Sequence, residues 1–156
     1  MRTKKGFTLA EMVAVIAILM FLAVISTPFI KRYINDSYNG KAKIYMRELH
    51  EARLNFEKDY PGTTVSSGSG SAFTTCDLDA IYGQTGLVVD ASILEACNYL
   101  TVPTDIEGRY TFTLGGSCVA TGCENPVATM VGKAAAGGDY NGKCTCLDAF
   151  GEIHQQ

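Results

Sequence analysis

The apolar residues of this chain are concentrated near its start. From Phe7 to Ile30 it reads FTLAEMVAVIAILMFLAVISTPFI, and the only charge in that run is Glu11. At about 1.5 Å per residue the run makes a helix of about 36 Å, enough to cross a hydrocarbon core of about 30 Å. The remaining residues are too polar to wrap an all-round apolar helix of that length, so the pattern predicts a membrane span rather than a core helix. Past Ile30 the pattern changes to one apolar stripe, with Tyr38, Ala42, Tyr45, Leu49, Ala52 and Phe56 at alternating helical steps. Such a stripe predicts a helix laid against a sheet. Lys41, Lys43, Arg47, Glu48, Glu51, Arg53 and Glu57 fill the other face, with Arg47–Glu51 and Arg53–Glu57 spaced to pair at i,i+4. Gly40 is the expected place for a bend, and Tyr60-Pro61-Gly62 ends the helix, so Phe7–Asp59 reads as one element.

The C-terminal region carries shorter signals. Thr63–Ala72 is a Ser/Gly/Thr loop, and Leu78–Tyr82 and Ser92–Leu100 each suit a short helical turn. Strand-like runs follow at Arg109–Leu114, Ser117–Ala120, Val127–Val131 and Lys143–Phe150. They are separated by Gly115-Gly116, the Cys118–Cys123 loop and Gly137-Gly138-Asp139. The predicted fold class is therefore α+β: a long N-terminal helix, half membrane-spanning and half amphipathic, packed on a small antiparallel β-sheet.

With 156 residues the chain has room for one modest head domain, which excludes a multidomain enzyme. Basic residues lie early and acidic residues late. From Pro61 onward only Arg109, Lys133 and Lys143 oppose a clear excess of Asp and Glu, so no nucleic-acid partner is expected of that region. The basic start, MRTKKG, places the N-terminus on the cytoplasmic side of a membrane and the head outside. No small-residue cleavage motif closes the apolar run, as it would in a secretory signal peptide.

All six cysteines, Cys76, Cys97, Cys118, Cys123, Cys144 and Cys146, fall in the outside portion, where an even set reads as a disulfide framework. Their spacings also miss the usual zinc knuckles. Cys76 is expected to pair with Cys97, and Cys118 and Cys123 with Cys144 and Cys146 in an order the spacing leaves open. No catalytic constellation is present: His50 and His154 lack nucleophile or carboxylate partners in the pattern, and both are expected to face solvent. Asp77-x-Asp79 and the later Asp90 invite a calcium reading, against which stand the lack of EF-hand spacing and of a clear acidic terminus, and Gly83 and Gly86 lie in no phosphate-loop context. The reading is of no catalytic residue, no cofactor and no metal.

Glu11 is the anomaly. A carboxylate at the bilayer centre costs about 2.5–3.5 kcal/mol on insertion scales and calls for a partner. Lys4-Lys5-Gly6-Phe7-Thr8-Leu9-Ala10-Glu11 resembles the processing junction of type IV pilins and type II secretion pseudopilins. The resemblance implies that a prepilin peptidase, a membrane-embedded aspartyl enzyme, cuts between Gly6 and Phe7. It also implies that the new Phe7 amine is methylated, and that Glu11 neutralises the amine of a neighbouring copy in the fibre. Pro28 matches a proline common in that family's N-terminal helix. The implied layout is a leader at 1–6, a transmembrane and assembly helix at 7–30, an amphipathic continuation at 31–60, and a disulfide-containing head at 61–156. The implied function is that of a structural subunit, not an enzyme, in a pilus or secretion pseudopilus. Its partners would be copies of itself, the peptidase, an inner-membrane assembly platform and, before assembly, lipid. It would reside as a single-pass inner-membrane protein first and in a surface or periplasmic fibre afterwards. The competing reading is a monomeric, membrane-tethered binding module, which would be neither processed nor polymerised.

Overall fold

The computed structural model describes residues 6–67, 76, 78–82, 85–116, 123–133, 136–137 and 139–155. The chain divides into two compact units, Met1–Ser37 and Tyr38–Gln156. Helix α1 (Leu9–Asp59) contributes to both. In the first unit every residue from Gly6 to Ile34 is exposed, as expected of a helix whose apolar surface has no protein to cover it. Pro28 and Gly40 are both accommodated inside the helix.

In the second unit α1 buries Asn39, Ala42, Tyr45, Met46, Leu49, Ala52 and Phe56. This is the predicted stripe with Asn39 and Met46 added and Tyr38 only half buried, the width that a period of about 3.6 gives a core-facing helix. It packs on a four-stranded antiparallel sheet in the order β3 (Tyr110–Leu114), β4 (Ala128–Gly132), β5 (Cys144–Leu147), β6 (Ile153–Gln155). The register places Phe112 opposite Met130, Met130 opposite Thr145, and Thr145 opposite Gln155. Tyr45 on α1 meets Phe112 on β3 edge to face, with ring centroids 4.7 Å apart. A long helix on an antiparallel sheet is the pilin-like α+β arrangement that the sequence predicts.

Several elements differ from the expectation. Thr63–Ser66, read as loop, is strand β1, and it pairs in parallel with β2 (Leu87–Asp90) so that Val65 lies opposite Val89, both buried. Glu57 secures β1 to the helix, accepting from the Val65 N–H at 3.0 Å and from Arg53 Nε at 2.9 Å. Helix α2 (Leu78–Ile81) lies between the two strands, α3 (Ser92–Ala96) is shorter than its predicted turn, and α4 (Thr104–Glu107) was not expected. Strand β6 is not among the predicted runs; its backbone pairs antiparallel with the edge of β5. The predicted strand Ser117–Ala120, the rest of the Thr63–Ala72 loop past Ser67, and Asp77 lie outside the described residues.

Candidate functional site

The candidate site begins where the helix begins. Gly6, Phe7 and Thr8 stand outside α1, and Phe7 is 81 % exposed. No neighbouring atom approaches the position a Cβ would take on Gly6. The bond between Gly6 and Phe7 is therefore in accessible, non-helical backbone. Thr8 then caps the helix. Its backbone N–H and its hydroxyl each donate to Glu11 Oε2 at 2.8 Å, and the Glu11 N–H returns to Thr8 Oγ1 at 3.3 Å. This is a reciprocal capping box, Thr-x-x-Glu, in which the third helical residue reaches back to the cap. The sequence reading left Glu11 without a partner in its own chain; the structure supplies one. The signal, Thr8 followed three residues later by Glu11, was available in the sequence. A carboxylate in the first turn also faces the positive end of the helix dipole.

Downstream, Pro28 has no N–H to give the carbonyl of Val24, four residues back. The hydroxyls of Ser26 and Thr27 donate one position earlier, both to the Ala23 carbonyl, at 3.2 and 2.9 Å. Side chains of this type bond the backbone three or four residues behind them, which from 26 and 27 reaches residue 23. Helix α1 is long and apolar enough to cross a membrane, and its most apolar stretch is wholly unburied.

In the head the structure joins Cys76 to Cys97 and Cys123 to Cys146. The first bond ties the entry of α2 to the end of α3; the second ties the segment entering β4 to the middle of β5. Cys144 is also disulfide-bonded, and Cys118 lies outside the described residues.

Neither histidine simply faces solvent. His50 is half buried on α1, its Nδ1 has no partner, and desolvation chiefly, with Arg53, lowers its pKa. His154 Nε2 lies 3.1 Å from Asp148 Oδ2. Asp148 Oδ1 accepts the Phe150 and Glu152 N–H groups at 2.9 and 2.8 Å, and the Glu152 hydrogen bond is the largest cause holding this carboxyl below its ordinary range. Asp148, Glu152 and His154 place ligand-type atoms within 4.8 Å of one another, a grouping the sequence reading missed because it exists only once β6 folds back on β5. The hydrogen bonds of Asp148 account for the arrangement as the tie of the β5–β6 turn. Of the calcium candidates, Asp90 accepts the Ser92 N–H at 3.0 Å, and Asp79 is exposed.

Residues 1–27 match the family described as the prokaryotic N-terminal methylation motif. No curated protein and no solved structure matches the chain.

Proposed function

We propose that the chain is a structural subunit that is cut between Gly6 and Phe7 by prepilin peptidase, methylated on the Phe7 nitrogen, and polymerised through its N-terminal helix into a type IV pilus or secretion pseudopilus. The observation that carries this reading is the methylation motif over residues 1–27. The accessible Gly6–Phe7 backbone and the apolar, uncovered surface from Met12 to Ile30 support it. In this reading residues 1–6 are the leader, 7–30 the membrane and assembly segment, 31–60 its amphipathic continuation, and 61–156 the head displayed outside the membrane. Before assembly the apolar helix resides in lipid; in the fibre the same surface is covered by neighbouring copies, and Glu11 meets the Phe7 amine of one of them. The chain acts by assembling, not by catalysis.

Intact-mass analysis of the protein from a host with an active prepilin peptidase tests the reading. The expected product begins at Phe7 and carries one added methyl group. A mature chain that retains residues 1–6, or one cut after Pro28, overturns it. A chain that stays uncut, monomeric and membrane-bound supports the tethered binding module instead.

A further inference from the structure

The tetrapeptide Tyr-Asn-Gly-Lys occurs twice in this chain, at residues 38–41 and 140–143. An asparagine followed by glycine is chemically labile, because a glycine nitrogen with no side chain beside it can reach the asparagine's own amide carbon. The neighbouring residues are the same at both places, so a difference in reactivity between them comes from structure. Asn39 and Gly40 lie inside α1, and Asn39 is 6 % exposed. There the helix holds each backbone N–H on the carbonyl four residues back. Asn141 and Gly142 lie instead in an exposed turn between β4 and β5. Gly142 has φ +73°, the left-handed region that favours glycine, and open space surrounds the position a Cβ would take on it. Hydrogen bonds close the turn: the Gly142 N–H donates to the Gly132 carbonyl at 2.8 Å, the Gly132 N–H to the Lys143 carbonyl at 3.1 Å, and the Lys143 N–H to the Tyr140 carbonyl at 3.2 Å.

We propose that Asn141 is a site of spontaneous modification, at which the side-chain amide becomes a carboxylate with water as co-reactant, while the helix keeps the identically flanked Asn39 intact. The Gly142 nitrogen attacks Asn141 Cγ; the new N–Cγ bond forms as the Cγ–Nδ2 bond breaks, and the amide nitrogen leaves as ammonia with the proton that Gly142 gives up. Water then opens either carbonyl of the cyclic imide, leaving aspartate or isoaspartate at 141. Attack consumes the same N–H that the Gly132 carbonyl holds, so the reaction proceeds when the turn opens, and that hydrogen bond is its gate. Local opening of an exposed turn costs far less than unwinding the buried part of a long helix. Either product adds a negative charge to an acidic head, and isoaspartate also lengthens the main chain by one carbon where the turn packs on Gly132.

The test ages the full-length, detergent-solubilised protein at mildly alkaline pH, folded and in concentrated urea, and follows both asparagines by mass spectrometry of tryptic peptides. Cleavage after Lys41 and Lys143 puts them in separate peptides, 33–41 and 134–143, in which fragmentation locates the converted residue. In the folded protein Asn141 should convert at least about tenfold faster than Asn39, yet at least about threefold more slowly than Asn141 in urea. In urea the two sites should agree within about twofold, because only their flanking sequence then acts. Conversion at Asn141 should yield both aspartate and isoaspartate, the mark of the cyclic imide. Equal rates at the two sites in the folded protein, or faster conversion at Asn39, overturn the proposal. An Asn141 rate unchanged by urea removes the gate, and sites that still differ tenfold in urea place the cause in sequence rather than structure; either result overturns it as well.

Discussion

At the residue scale Glu11 carries two separable roles. In its own chain it closes the capping box with Thr8; in the proposed fibre its charge meets a neighbour's amine. The substitution Glu11→Gln separates them, because glutamine at the third helical position still accepts the Thr8 N–H but has no charge. Glu11→Gln and Glu11→Ala should both insert and be cut after Gly6. Both should yield few sheared fibres when supplied as the only subunit, with membrane-fraction blots confirming expression. Thr8→Val, which keeps the charge and removes the capping hydroxyl, should cost the first turn about 1 kcal/mol and leave fibres largely intact. Normal fibre yield from Glu11→Gln would show that the cap, not the charge, is what assembly uses.

At the scale of elements, the head is held by short pieces that depend on one another. Strands β1 and β2 have four residues each, too few for an isolated pair to be stable, and the Cys76–Cys97 bond lies on the connection around them. Replacing both cysteines with serine should lower stability by about 3 kcal/mol, read as a shift in the urea midpoint at constant slope. Gly132 is needed for a different reason. A Cβ at this position would fall 1.9 Å from the Tyr140 carbonyl oxygen, so the 139–143 turn that Gly132 also hydrogen-bonds must move away. Gly132→Ala should therefore cost about 1–3 kcal/mol in the same measurement, although alanine is otherwise the smallest possible change. The β1–β2 pair was not legible beforehand. The inward positions Thr63, Val65 and Val89 alternate correctly, but over four residues in a Ser/Thr-rich stretch such alternation has no statistical weight.

At the scale of the whole molecule, stability should fall on acidification in two stages. His50 has a folded pKa below its unfolded value, so between about pH 6.5 and that lower value the unfolded chain binds more protons and stability declines as pH drops. Asp105, held down chiefly by the Lys41 hydrogen bond at 2.8 Å, and Asp148, held down by the Glu152 N–H, follow. Their stabilisation is present above the ordinary carboxylate range near pH 4 and is lost as pH falls through their depressed folded values. Thermal melting across pH 3–8, followed by tyrosine ellipticity, should show both declines; Asp148→Asn should flatten the lower one and leave the upper unchanged. A melting temperature that rises on acidification would contradict the assignment. The sequence by itself determined what one-dimensional patterns can carry. The apolar run, the stripe from Ala42 to Phe56, the basic start with Gly6, Phe7 and Glu11, and the even set of cysteines each rest on local spacing or composition. Only the tertiary structure decided the parallel β1–β2 pair, the fourth strand, the approach of Asp148 to His154, and the meeting of Tyr45 with Phe112. Each of these joins residues through chain reversal or helix packing, and their proximity is set by how the core closes, which no periodicity in the sequence encodes.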